Sequence, residues 1–119
     1  MDGSDVDQME KKAPAEIICV GGEFEGFSFS IYADEQIVIG RDPVTANIVL
    51  ANPAVSRKHC VVRYFEPTNS FYVMDQSTQG TYKDSGERLG KNRSEVVMPG
   101  TVISICDGEE RFLLTSNKS

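Results

Sequence analysis

The sequence predicts an all-β fold, an antiparallel sandwich of short strands. Three observations carry the prediction. Apolar residues recur with a period of two, turn residues punctuate the chain every 8 to 12 positions, and no stretch of ten or more residues has helical periodicity. At 119 residues, 39% of them hydrophobic, the chain suits one compact domain whose core needs no disulfide or metal to hold it.

Taken in order, residues 1–15 carry Asp2, Asp5, Asp7, Glu10, Lys11, Lys12 and Pro14 without apolar periodicity and read as a solvated acidic tail. The domain is expected over residues 16–115, with 116–119 as a short C-terminal tail. Strands are predicted at 17–20, 27–32 and 36–39, separated by Gly21-Gly22 and Ala33-Asp34-Glu35. Gly40-Arg41-Asp42-Pro43 ends the third, because Pro43 has no N–H for a ladder and Gly40 is able to take a positive φ. A short strand at 47–50 precedes the polar run Asn52-Pro53-Ala54-Val55-Ser56-Arg57-Lys58-His59. Residues 59–65 and 71–74 then form a hairpin around Glu66-Pro67-Thr68-Asn69-Ser70. A second polar loop, Asp75 to Gly80, leads to short strands at 81–83 and 88–89. After the basic loop Gly90-Lys91-Asn92-Arg93, strands at 96–98, 101–106 and 111–115 are set off by Pro99-Gly100 and Asp107-Gly108-Glu109.

Charge narrows the function classes. Twelve Lys and Arg against eighteen Asp and Glu leave a net charge of −6, which argues against general binding to nucleic acid or anionic membranes but permits a local anion site. Cys19, Cys60 and Cys106 are odd in number and lie in apolar runs, as expected of reduced core residues. No stretch approaches the roughly 18 apolar residues of a membrane span. These features predict an intracellular, cytoplasmic protein, or a nuclear one if the source is eukaryotic.

Catalysis has little to stand on. His59 is the single histidine, and its three-residue separation from Ser56 does not by itself aim an imidazole at a hydroxyl. The scattered cysteines lack zinc-ligand spacing, and no glycine-rich nucleotide loop is present, so neither metal nor cofactor is implied. Arg41, Ser56, Arg57, Lys58, Ser77 and Thr78, by contrast, all fall in loops, and the loops of a sandwich cluster at its ends. A guanidinium fork, a hydroxyl and loop N–H groups suit a tetrahedral oxyanion. Plainer readings stand beside this one. Arg41 would serve in a surface ion pair, Ser56 as a turn cap, Asp75-Gln76-Ser77 as an Asx turn, and His59 as a satisfied scaffold residue.

Gly40-Arg41, then Ser56-Arg57-Lys58-His59, then Asp75-x-Ser77-Thr78-x-Gly80-Thr81 together resemble, in order and spacing, the forkhead-associated (FHA) domain pattern. The resemblance covers residues 16–115. It implies an eleven-stranded β-sandwich that binds phosphothreonine peptides through loops at one end, without catalysis. It further implies that Arg41 pairs with the phosphate, Ser56 donates its hydroxyl, Arg57 adds a second cation and Thr78 helps hold the phosphate. Gly40, His59, Gly80 and Thr81 match positions that brace the loops. The implied partner is a phosphothreonine protein acting in trans, modified by an upstream Ser/Thr kinase, since the tail offers Ser4 but no threonine. The alternative is a scaffold or oligomerisation domain of the same fold working without phosphate.

Two departures stand out. Gln79 replaces the Asn that in the family bonds the peptide backbone, and Lys83-Asp84-Ser85-Gly86 is one residue longer than the usual Val-Asn-Gly turn. Ala54 and Val55 stand where some members carry a basic side chain that reads an acidic peptide residue.

Overall fold

Period-two alternation becomes two stacked sheets. The computed structural model describes residues 13–117, with ten strands among them. They are β1 (Ala15–Gly21), β2 (Ser28–Ile31), β3 (Gln36–Gly40), β4 (Ile48–Val49), β5 (Cys60–Phe65), β6 (Ser70–Asp75), β7 (Tyr82–Lys83), β8 (Ser94–Val97), β9 (Thr101–Ile105) and β10 (Glu110–Ser116). One sheet runs β2-β1-β10-β9-β7 and the other β4-β3-β5-β6-β8. The expected acidic tail falls largely on residues 1–12, which lie outside the described residues. Within them, Ala13 is already buried, Ala15 opens β1 opposite Ser116, and Asn117 donates back to Pro14.

Each strand sends alternate side chains inward. Ile17 and Cys19 of β1, Ile103 and Ile105 of β9, and Phe112 and Leu114 of β10 meet Ile37 and Ile39 of β3, Val62 and Tyr64 of β5, and Phe71 and Val73 of β6. Burying a large aliphatic or aromatic side chain contributes roughly 1.5–3 kcal/mol. This layer therefore holds the sandwich without cross-links, and all three cysteines are free and buried. Burial pushes the Cys60 thiol up to about 12 and the Cys19 thiol up to about 11, so neither ionises readily.

Two expectations are corrected. The described residues form ten strands rather than eleven, because Arg88 makes only an isolated bridge to Tyr82 and Leu89 a single bond to the Thr81 carbonyl. The second sheet is mixed, since β4 lies parallel to β3, with Ile48 beside Ile39 and Val49 beside Gly40. The turn expected between β5 and β6 is present as a single 3₁₀ turn, Glu66–Thr68, closed by Asn69 in the left-handed region.

The pairing of β3, β5 and β6 fixes the functional end of the molecule. Ile39 pairs with Cys60, and Cys60 with Asp75. The three segments that leave this edge, 41–47, 50–59 and 76–81, therefore emerge side by side.

Candidate functional site

Gly40 sets the approach of the first two segments. A Cβ built there would lie 2.0 Å from the Arg57 carbonyl oxygen, a backbone atom that cannot give way. The need for glycine is thus close packing and not the positive φ expected, which Gly40 does not adopt. Its absence of side chain lets the Arg41 N–H donate to both the Ser56 carbonyl (3.0 Å) and the Arg57 carbonyl (3.1 Å). The Arg41 Nε donates to the Val55 carbonyl at 2.9 Å. Arg41 is consequently laced to the 50–59 loop along its length. The ion pairs among the described residues, Arg63–Asp34, Lys83–Glu87 and Arg111–Asp84, do not involve it, so the far end of its guanidinium has no carboxylate partner there.

His59 joins the second and third segments. It is fully buried, its Nδ1 accepts the Ser56 N–H at 3.1 Å, and its Nε2 lies 2.9 Å from the Gly80 carbonyl. Acceptance at Nδ1 and donation from Nε2 define a neutral imidazole. Burial lowers its pKa from the ordinary value, outweighing the Gly80 bond and the charge of Asp75. With both nitrogens committed to backbone, His59 is not positioned to deprotonate the Ser56 hydroxyl, and a Ser56/His59 nucleophilic pair is absent.

The third segment is locked from within. Asp75 is completely buried, and its Oδ1 accepts the Ser77 N–H (3.2 Å), the Ser77 hydroxyl (2.6 Å) and the Thr81 hydroxyl (2.8 Å). The Ser77 oxygen in turn accepts the Gly80 N–H at 2.7 Å. Gly80 sits at φ +105°, where its own Cβ would also meet Arg88 and Tyr82. The Asx turn at Asp75-Gln76-Ser77 is thereby realised, and Asp75 organises the loop. Asp75 was not among the site residues expected from sequence, although its Asp-x-Ser spacing was the signal for it.

Ser56 closes the arrangement. Its oxygen accepts the Thr78 N–H at 3.2 Å, linking the two loops across their mouths. A hydroxyl that accepts in this way keeps its own proton for another acceptor. Arg41, Ser56, Thr78 and Gln79 line one open depression together with Pro53, Ala54 and Val55. Its volume, about 250 Å³, is below the 300–1,000 Å³ of ordinary small-molecule pockets and suits a single anionic group. Thr78 and Gln79 are exposed at its rim, whereas Thr81 is buried on Asp75. Arg57 and Lys58 are both exposed, and neither lines the depression. Asp84 pairs instead with Arg111 at 3.5 Å, beside a different depression. Asp42, next to Arg41, has its pKa lowered first by the Val44 N–H and then by the Thr45 hydroxyl, with Arg57 and Arg41 adding to the effect.

Two supports were not legible in the sequence. Glu23 accepts the Ala51 N–H at 2.9 Å, and Glu109 accepts from the Asn52 amide at 3.3 Å, so acids remote in sequence anchor the start of the 50–59 loop.

A β-sandwich that gathers a partly free guanidinium and a hydroxyl with an available proton at one end is a loop-based binding module for an anionic group. The FHA domain model matches residues 37–106, more than half of the chain, and the protein belongs to the FHA domain family. It is 30% identical over 111 residues to the meiosis-specific serine/threonine-protein kinase MEK1 of Saccharomyces cerevisiae, covering 89% of this chain and 22% of the kinase. It is 35% identical over 102 residues to the probable serine/threonine-protein kinase fhkA of Dictyostelium discoideum, covering 75% of this chain and 16% of that protein. The chain thus spans about a fifth or less of the curated relatives it matches. The MEK1 FHA domain solved in complex with a HOP1 phosphothreonine peptide superposes with a TM-score of 0.73 at 26% identity, over 89% of this chain and 99% of that one.

Proposed function

We propose that this chain is a non-catalytic phosphothreonine-peptide binding module that recruits proteins modified by a Ser/Thr kinase. The observation that carries the reading is the convergence of the Arg41 guanidinium and the Ser56 hydroxyl on one anion-sized depression. The phosphothreonine complex of the similar MEK1 FHA domain supports the choice of ligand. In this reading Arg41 pairs with the phosphate, the Ser56 hydroxyl donates to it, and Thr78 holds a further oxygen. Arg57 adds cationic field from the rim rather than a lining contact. Gln79, exposed at the mouth, takes the peptide backbone with the amide that Asn supplies elsewhere in the family, on a longer stem. Gly40, His59, Gly80 and Thr81 hold the loops. The partner acts in trans, and three reduced, buried cysteines suit an intracellular setting.

Titration with matched peptide sets carrying phosphothreonine, phosphoserine or no phosphate tests this. The expected order is phosphothreonine, then phosphoserine, with no binding without phosphate. Equal binding to phosphorylated and unphosphorylated sets would instead assign the chain to phosphate-independent scaffolding.

A further inference from the structure

The outer face of the second sheet carries residues that phosphate recognition does not use. Strand register places them in rows. Val38, Val61, Met74 and Ser94 lie side by side across β3, β5, β6 and β8, and Gln36, Arg63, Tyr72 and Val96 form the next row. Phe65 follows along β5, its ring 5.8 Å from that of Tyr72. Such a face, turned away from the core, ordinarily alternates to polar residues. Here Val96 is 56% exposed and Phe65 36%.

Two shallow depressions mark this face, one reaching from Lys58 and Gln76 to Arg63, the other from Arg63 and Tyr72 to Phe65 and Asp34. They share Arg63 and Tyr72 and so form one strip. At about 160 and 140 Å³ each is too small for an ordinary small-molecule ligand and suits single side chains.

Charge and continuity identify the occupant. In a chain of net charge −6, the charged groups lining the strip are Lys58, Arg63 and, at its far end, Asp34. Among the described residues, the one ion pair of Arg63 is an exposed 3.8 Å contact with Asp34, and Lys58 has no carboxylate within 4 Å. An exposed pair of this kind exchanges readily for another carboxylate. The strip also reaches the two loops that form the proposed phosphate site, since Lys58 lies in the 50–59 segment and Gln76 in the 76–81 segment, though it shares no lining residue with that depression. Lys58 and Arg63 lie five positions apart along the segment that enters β5, on the order of 17 Å when extended, the reach of a short extended peptide.

We infer that this strip docks an extended segment of the phosphorylated partner in which acidic residues alternate with apolar ones, adjoining the phosphothreonine. The inference rests on the phosphothreonine reading for its partner. Its acids engage Lys58 and Arg63, and its apolar side chains cover Met74, Phe65 and Val96. Tethering to the phosphate site makes this second contact intramolecular, so a weak strip still raises affinity.

The test uses the whole chain and three probes in calorimetry. They are a seven-residue phosphothreonine peptide, and the same peptide lengthened on its N-terminal or its C-terminal side by ten alternating Glu and Val residues. One lengthened probe is expected to bind about tenfold more tightly than the short one. Arg63→Glu and Val96→Ser, both at exposed positions, are each expected to remove that gain while leaving the short peptide's affinity unchanged. The unphosphorylated Glu-Val decapeptide at millimolar concentration is expected to shift the amide resonances of Val61, Tyr72 and Met74, a readout independent of phosphate. Failure of the short peptide to bind while those shifts appear rejects the phosphothreonine reading and keeps the strip. Equal affinity for all three phosphopeptides, or a gain that survives Arg63→Glu, overturns the strip. So does a dimer that Val96→Ser dissociates, which assigns the face to a second copy. Amide shifts at Asp2, Asp5 or Asp7 on Arg63→Glu substitution in the free protein overturn it too, assigning the face to the chain's own N-terminus.

Discussion

Ser56 and Ser77 sit in adjoining loops, and each accepts a backbone N–H, yet they play opposite parts. The Ser77 hydroxyl also donates, to Asp75 at 2.6 Å, and the residue is fully buried. Ser56 is only partly buried and accepts from Thr78, with its proton uncommitted. The comparison teaches that a hydroxyl is structural when both its roles are filled and functional when its donor is left facing a cation and open space. The same division separates the two loops: 76–81 is closed on Asp75 and 50–59 is open toward Arg41.

The most disruptive way to break this contrast is to remove its organiser. Asp75→Ala strips three hydrogen bonds from a buried carboxylate, leaving the Ser77 and Thr81 donors unmatched. The expected cost is about 3 kcal/mol or more of stability, read as a lowered midpoint in urea. On the open side, Arg41→Ala should leave the fold intact, since its backbone bonds remain. Losing its charge-assisted contact should weaken phosphothreonine-peptide binding by about 2–3 kcal/mol, roughly 30- to 150-fold, by calorimetry. A folded Arg41→Ala protein that binds nearly normally would remove Arg41 from the site.

The serines themselves sharpen the comparison. Ser77→Ala should cost about 2 kcal/mol of stability, because the buried Gly80 N–H loses its acceptor. Ser56→Ala should cost less than about 1 kcal/mol, because the exposed Thr78 N–H turns to water. Affinity should follow the opposite order, with about a tenfold loss for Ser56→Ala once misfolded Ser77→Ala protein is corrected for. If both substitutions move the same quantity, the division fails.

Between the loops, His59 makes the arrangement sensitive to acid. Its folded pKa is depressed, so the unfolded chain takes up a proton that the folded chain resists. The stability it contributes is fully present above the ordinary imidazole pKa of about 6.5 and is lost as pH falls through the folded value. Urea midpoints at pH 7.5 and 5 should therefore differ more for the parent than for His59→Gln, and equal slopes would remove His59 as the sensor. The smallest expected effect lies in the ligand. Exchanging phosphothreonine for phosphoserine removes one methyl, about 0.8 kcal/mol or roughly fourfold in affinity.

Much of this was legible in the chain because it is written locally. Alternation in 59–65 and 71–74 places the central hairpin, and Asp75-x-Ser77 announces the Asx turn that follows it. What was not legible depends on which distant segments meet. Nothing in Ile48-Val49 states that it lies parallel to β3, and nothing near Glu23 or Glu109 points to Ala51 or Asn52. Arg88-Leu89 has the residues of a strand but too short a partner to become one. Gly40 was recognisable as a required glycine for the wrong reason, since close approach to Arg57 exists only once the loops are packed.

That close approach also governs motion. The Arg41 amide is shared between two carbonyls of the facing loop, and the His59 amide is bonded to Ile39 across the same junction. Local fraying of the mouth therefore requires separating β3 from β5, which pair from Gln36 to Ile39. Exchange of the Arg41 amide with solvent deuterium should consequently track global unfolding rather than loop opening. An anion arriving at this junction meets donors already held in place, and its residence time is then set by how quickly the bound contacts break rather than by how quickly the loops assemble.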